Sequence, residues 1–399
     1  MNDEVMEPVS TDRADEVPST PAWMAVFSLA MGVFGLLTAE YLPASLLTPM
    51  ASDLGVSEAL AGQAVTVTAV VALFAGLSVP RLTRNLDRRV VLLSFTVLMI
   101  ASNLLVTLST NLVFLLVMRI LLGFALGGFW SMAAAVAMRL VPKKLVPRAL
   151  SIIFSGIAVG TVVSIPLGSY LGGLYGWRSA FYAAAAVGVL TLIFQLFTLP
   201  SMAPRKAVQS ESVLGLLRRP GIFIGMLGCV LAHTGQYALF TYIRPALESV
   251  SNIGVDGLSL MLLGFGVANF FGTLLAGELM QRSLRATLVI KPALVGIAAF
   301  GIILLPLGNI GLMVLVALWG LAFGGVPVAW SSWVAQVLPD HAETAGGMVV
   351  AAVQSSIALG AAVGGLIFGL SGIVGVFIAG ASIMLFASLF IKLRVRTDL

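Results

Sequence analysis

From Leu112 to Leu140 the chain reads LVFLLVMRILLGFALGGFWSMAAAVAMRL, with Arg119 and Arg139 as its only charges. A helix rises about 1.5 Å per residue, so a run of this length crosses a hydrocarbon core of about 30 Å. Comparable runs recur from end to end, at about 23–47, 59–79, 90–108, 112–140, 149–173, 179–199, 221–246, 258–279, 288–307, 311–337, 346–369 and 373–391. Transmembrane barrel strands alternate apolar and polar residues over about ten positions, whereas these runs are continuously apolar and about twice as long. Composition agrees: 59% of residues are hydrophobic and 10% charged, where soluble domains carry about a quarter charged residues. The sequence predicts an all-α integral membrane protein of twelve transmembrane helices.

The 22 Lys and Arg residues suggest its orientation. With residues 1–22 in the cytoplasm, nineteen of the 22 fall on that side, at Arg13 and within 81–89, 139–148, 205–219, 282–291 and 392–396. Arg178 and Arg244 face the other side, and Arg119 lies within a span. This asymmetry predicts both termini in the cytoplasm. It also accounts for the pI of about 9.6: the charge is dispersed in short loops and topogenic, which argues against nucleic acid as a partner. Residues 1–22 are acidic, with no basic stretch before the first apolar run, and read as a disordered tail rather than a cleavable signal. Residues 201–220 read as a cytoplasmic linker between six-span halves at 23–200 and 221–391, and 392–399 as a cytoplasmic tail. Cys229, the single cysteine, cannot form an internal disulfide and reads as a small apolar side chain.

The halves repeat one another. At a constant offset of 197, Gly123, Ala125, Gly127, Gly128, Pro142, Gly168 and Gly172 fall on Gly320, Ala322, Gly324, Gly325, Pro339, Gly365 and Gly369. Six spans per half is an even number, so the halves share one topology and their relating axis runs along the membrane normal. Two parallel six-helix halves, with RILLG at Arg119–Gly123 and PLGSYLGGLYGWRSAF at Pro166–Phe181, resemble the major facilitator superfamily and its drug:proton antiporter branch. The loop signature of that family, G-x-x-x-D-R-x-G-R-R, is degenerate: Pro80, Arg84 and Asp87 stand at its first glycine, its aspartate and its second glycine. Segments such as SLLTPMASDLGVSEALAGQAVTVTA, GQYALFTYIRP and GVPVAWSSW are similar to the bacterial purine-nucleoside exporters of the same branch. The resemblance runs from Trp23 onward. It implies the major facilitator fold of two pseudo-symmetric six-helix bundles in a bacterial inner membrane. The activity implied is proton-coupled antiport that exports inosine, guanosine and their analogues by alternating access.

Ionisable residues within spans cost from about 3 to more than 10 kcal/mol in hydrocarbon, and so mark function by default. Glu40 lies ~25 Å along the first span from its inner end, and Arg119 ~12 Å from the outer end of the fourth, which is its start. Running antiparallel, the two reach similar depths. Desolvation favours the neutral acid and a neighbouring cation the carboxylate, so such a pair can switch between proton-bound and ion-paired states. His233, near the middle of the seventh span, is a second proton candidate or a partner for a base edge. Each has a structural alternative: Glu40 bonded near the interface beside Tyr41, Arg119 holding backbone carbonyls, His233 a neutral donor. His341 falls in a loop.

A nucleoside needs an aromatic surface and a few fixed polar groups. Phe129 and Trp130 in the fourth span, Gln236, Tyr237 and Phe240 in the seventh, and Trp330, Ser331 and Gln336 in the tenth offer these. Family resemblance places the first, fourth, seventh and tenth spans around a central cavity, though aromatics in membrane helices also simply pack. Gly156, Gly160, Ser164, Gly168, Gly172 and Gly176 recur every fourth residue, a small-xxx-small groove, and Pro166 invites a bend. Such a helix suits rocking of one half against the other; static packing is the alternative.

Two histidines, one cysteine and no Walker loop supply no zinc constellation, thiol nucleophile or ATP-driven motor. The chain therefore reads as no enzyme, without metal or cofactor, its energy source a proton gradient. A monomer suffices for all of this. Rival readings are an exporter of sugars or hydrophobic drugs on the same fold, a passive channel, whose flux would ignore the proton gradient, and a receptor, which would bind without flux.

Overall fold

The computed structural model describes residues 21–142, 145–204, 213–251, 253–338 and 342–396. The acidic tail, the middle of the linker and His341 lie outside the described residues. In the first half, α1 (Trp23–Ser45) is followed by the short α2 (Leu47–Leu54) and α3 (Glu58–Ala61), then α4 (Gln63–Leu82), α5 (Arg88–Thr107), α6 (Leu112–Leu140), α7 (Val146–Tyr175) and α8 (Trp177–Thr198). After α9 (Val213–Leu217), the second half holds α10 (Ile222–Thr241), the short α11 (Ile243–Val250), α12 (Val255–Leu304), α13 (Asn309–Gly324), α14 (Val326–Val337) and α15 (Ala342–Arg394). The described residues contain no strand.

Polar side chains start several helices, each accepting from an orphan N–H of the first turn. Asp87 accepts from Arg89 N (2.7 Å), Asn111 from Phe114 N (2.9 Å) and Ser57 from Leu60 N (3.3 Å). Among the described residues, eleven helices are long and apolar enough to cross a membrane, the last of them the 49 residues Gly346–Arg394. Unbroken, that helix would measure ~75 Å, more than twice a hydrocarbon core. It breaks at Gly372 (φ 69°, ψ −169°) and crosses twice; α12 likewise breaks at Ser283. The described residues thus cross twelve times. Each half turns its fifth span into its sixth on a single left-handed glycine, Gly176 (φ 81°) or Gly372.

The repeat extends from the glycines to what they touch. A Cβ added at Gly127 would lie 2.0 Å from the carbonyl oxygen of Ala72 on α4, and one at Gly324 would lie 2.0 Å from that of Asn269 on α12. Gly123 and Gly320 sit in the same way against the carbonyls of Thr68 and Phe265. These partners are themselves 197 apart, so the fourth span packs on the second as the tenth packs on the eighth. Only glycine permits that approach of backbones.

The small-residue stripe of α7 seats α1 of its own half. Gly156 meets the carbonyl of Ala30, Gly160 meets Leu37, and Gly168 and Gly172 meet Leu42 and Leu46. Ser164 shares a 2.6 Å hydrogen bond with Thr38. Pro166 lies inside a helix that runs on without a break. The face that α7 turns to the other half carries Thr161 and Val162, against Gly266, and Gly173, against Val255. The stripe is therefore an intra-half seam, and the surface on which the halves meet is a different one.

One charge sits elsewhere than the sequence reading placed it. Lys291, counted there among cytoplasmic loop residues, is 5% exposed and lies within the apolar helix Arg282–Leu304. The lysine lies only three residues inside the start of its apolar run, so its charge is grouped with the adjacent loop; a neighbouring helix end instead receives the ammonium.

Candidate functional site

The two halves meet around Glu40. The carboxyl, near the end of α1, is buried, and its Oε1 has no hydrogen-bond partner. It lines a cavity of about 10 Å³ together with Tyr41, Ala44, Val65, Tyr237, Phe240, Thr241 and Ile357, room for about one water molecule. Four of these residues belong to the first half and four to the second. Tyr41 and Tyr237 interact across the seam through their hydroxyl groups, and the Tyr41 ring stands edge-on to Phe240 at 5.6 Å. A second cavity, of about 40 Å³ among α1, α7 and α8, lies wholly within the first half. Its polar groups, Thr38 and Ser164, already bond each other, which leaves the seam cavity as the candidate site.

Arg119 is fully buried beside this cavity. Its Nη1 donates to the carbonyl of Ala39 (2.8 Å) and its Nε to the hydroxyl of Thr68 (3.0 Å). The third arm, Nη2, has no partner. The arginine therefore braces the backbone one residue before Glu40, while one of its N–H groups and one carboxylate oxygen both stand uncommitted. The two side chains are near each other without being bonded, which is a pair held apart rather than an ion pair.

His233 is buried one to two turns along α10 from Tyr237. Its Nδ1 lies 2.9 Å from the carbonyl of Cys229; a carbonyl can only accept, so Nδ1 carries a proton. Nε2 has no partner. Phe323 stacks edge-on to both His233 (6.0 Å) and Tyr237 (6.3 Å) and so links the histidine to the cavity wall. Gln236 faces the tenth span, where its Oε1 accepts from Trp319 Nε1 at 2.7 Å.

The other aromatic candidates are placed apart. Phe129 is buried in the first half, edge-on to Trp130 (5.8 Å), which packs on Phe154 (5.7 Å). Trp330 is fully buried against Trp333 at 5.6 Å, its indole N–H without a partner. Ser331 donates to the carbonyl of Pro327 (2.9 Å), and Gln336 is exposed near the end of α14. Around the seam, then, the structure gathers Glu40, Tyr237 and Phe240, with His233 behind them. Sequence reading named Tyr41 only as a neighbour of Glu40 and passed over Thr241, Phe323 and Ile357, which no spacing distinguishes from other apolar-span residues. One signal was available: at the 197-residue offset Tyr237 is the counterpart of Glu40.

The seam is clasped on the side opposite the basic loops. Arg244, 5% exposed, sends Nη1 across to the carbonyl of Ser45 (2.7 Å) and Nε to Glu248 (2.9 Å). Glu248 in turn accepts from Thr48 of the first half at 2.6 Å. Gly62 sits directly beneath the Tyr242 hydroxyl. These contacts lie between the cavity and that face.

A twelve-span helical fold of two like halves, with one buried carboxyl at their seam, is the framework of a secondary transporter rather than an enzyme. The profile of the Major Facilitator Superfamily matches residues 27–361, and the chain belongs to that family. It is 43% identical over 396 residues, 99% of both chains, to the protein named purine ribonucleoside efflux pump NepI in Salmonella enteritidis PT4 and in Salmonella typhi. Among solved structures, a D-xylose-proton symporter superposes with a TM-score of 0.78, covering 94% of this chain and 98% of the other at 17% identity, a likeness of fold alone.

Proposed function

We propose that this transporter exports purine ribonucleosides from the cytoplasm in exchange for protons, by alternating access, from a bacterial inner membrane with both termini inside. The relatives' name supports the substrate class, and the charge asymmetry supports the sidedness. The observation that carries the coupling is Glu40: a buried carboxyl with a free oxygen, in a cavity whose walls come from both halves.

In this reading a proton arriving from the far side is held on Glu40, and the neutral acid lets the seam close over it. Loss of the proton toward the cytoplasm leaves a carboxylate, to which the spare Nη2–H of Arg119 can donate. Proton-bound and arginine-paired forms then favour different packings of the seam. Tyr237, Phe240 and Phe323 supply ring faces for a purine, and the lone pair of His233 Nε2 is an acceptor for a base N–H or a ribose hydroxyl. Phe129, Trp130, Trp330, Ser331, Gln336 and Gln236 are further binding candidates around the same axis. No cofactor is required; the proton gradient drives the cycle, and one chain contains every group named.

Counterflow of labelled inosine in proteoliposomes with an imposed pH gradient tests this. Uptake driven by the gradient in the parent, and its loss in Glu40→Gln with inosine exchange retained, is the expected result. Movement of xylose or a hydrophobic drug in place of any nucleoside would overturn the substrate class. Undiminished proton-driven transport by Glu40→Gln would overturn the coupling residue.

A further inference from the structure

The tenth span interrupts its helical hydrogen bonding at Gly325, whose backbone angles stay right-handed helical, where the fourth span is whole. The helix α13 ends at Gly324 and α14 begins at Val326, with Pro327 in its first turn, whereas α6 runs unbroken from Leu112 to Leu140. A break inside the bilayer frees backbone carbonyls that no water satisfies. Here Gly325 N–H turns back to the carbonyl of Phe323, so the carbonyl of Leu321 loses the donor a continuous helix would give it.

Side chains of α12 supply what the backbone lacks. Lys291 Nζ donates to the carbonyls of Ala322 (3.3 Å) and Leu321 (3.4 Å), with that of Gly272 at 3.5 Å. Thr273 Oγ1 donates to the carbonyl of Gly324 at 2.7 Å. Gly325 makes room for the lysine, since a Cβ there would stand 2.4 Å from Nζ. An ammonium carries donors only, and the carboxyl end of α13 is the negative end of its dipole, so charge and hydrogen bonding match. At the equivalent positions of the first half, Lys291 becomes Ser94, Thr273 becomes Gly76 and Pro327 becomes Trp130. Break and cap are therefore absent together from the first half.

We propose that Lys291 and Thr273 are positioning residues that cap a hinge in the tenth span and set the angle of α14, the segment that carries Trp330, Ser331 and Gln336. Movement at this hinge gives the second half a freedom that the first half lacks. The proposal rests on the family's transport activity and is independent of which substrate is carried.

The test is the distance distribution between spin labels at Ala286→Cys on α12 and Ala335→Cys on α14, both exposed positions, in a Cys229→Ala background without substrate. Lys291→Met is expected to shift or broaden that distribution and Lys291→Arg to restore it, with transport at least ten-fold lower in the methionine variant. Should Lys291→Met not fold, Thr273→Val is read in the same way. Label distances unchanged in every folded variant, or a shift that Lys291→Arg does not restore, would overturn the hinge. Label distances need no nucleoside, so failure of the substrate proposal leaves this outcome readable.

Discussion

The two halves share a backbone plan and divide the chemistry between them. In the first, the crossing helix is continuous and carries its own cation: Arg119 on α6 braces α1 at Ala39. In the second, the crossing helix is broken, and the cation comes from its neighbour, Lys291 on α12. The brace to the first helix of that half is neutral, Trp319 to Gln236. Ala39 and Gln236 are 197 apart, so both braces act at one register. Gene duplication of a six-span unit would supply the register; divergence has placed the titratable carboxyl in the stiff half and the hinge in the other.

The largest test of that division substitutes the two symmetry-related residues at the seam. Glu40→Gln is expected to reduce proton-driven export to background, while Tyr237→Phe costs no more than about ten-fold, the worth of one hydrogen bond. Equal losses would break the contrast between the halves. Next in size are the glycines: Gly127→Val and Gly324→Val should each lower stability by at least ~2 kcal/mol, measured as midpoint of thermal unfolding in detergent. A similar loss in both preserves the shared plan, and a much smaller one at Gly324, beside the break, would show that the hinge absorbs strain.

The clasp across the halves is the third test. Arg244→Gln removes a hydrogen bond from a charged group to the Ser45 carbonyl. A cysteine at Ala44, introduced with Cys229→Ala, should then react roughly ten-fold faster with an impermeant maleimide added on the far side. The smallest effect belongs to a lock in the first half that has no counterpart among the described residues of the second. Arg178 donates to Asp53 (2.6 Å) and to the carbonyls of Thr107 and Ser109. The Arg178 and Trp177 hydrogen bonds hold the Asp53 carboxyl below the usual carboxylate range. A lowered folded value means the contribution is complete above the ordinary carboxylate pKa near 3.9 and is lost as pH falls through the folded one. Both side chains are partly exposed, so Asp53→Asn should cost under ~1 kcal/mol. The difference in melting temperature between parent and variant should begin to shrink below about pH 4 and vanish only once the pH lies below the lowered folded value.

Much of the fold was legible because its causes are local or periodic. Continuous apolar length dictates membrane helices, and a constant 197-residue register dictates two like halves packed through glycine. The buried Glu40 was legible too, since a lone carboxyl in an apolar run has few explanations. What escaped were features set by a neighbour's backbone. Lys291 stands near the start of its apolar run, and only the freed carbonyls of α13 explain its burial. The stripe on α7 reads as a groove for close helix approach, but spacing says nothing of which helix approaches, and the structure puts α1 there. Asp87, which looked like a decayed glycine of a loop signature, caps α5 and also accepts from Met202 N and the Ser201 hydroxyl. It thereby ties the start of the linker to the first half.

The glycine corners at Gly176 and Gly372 bear on how the spans are paired. With one residue between helices, the fifth and sixth spans of each half have no slack chain between them, and the end of one stays within a few ångströms of the start of the next. Such a pair forms a tight helical hairpin whose two spans lie side by side. A bulky residue at either corner, where the backbone geometry is open essentially to glycine alone, would strain the turn and splay the two spans it joins.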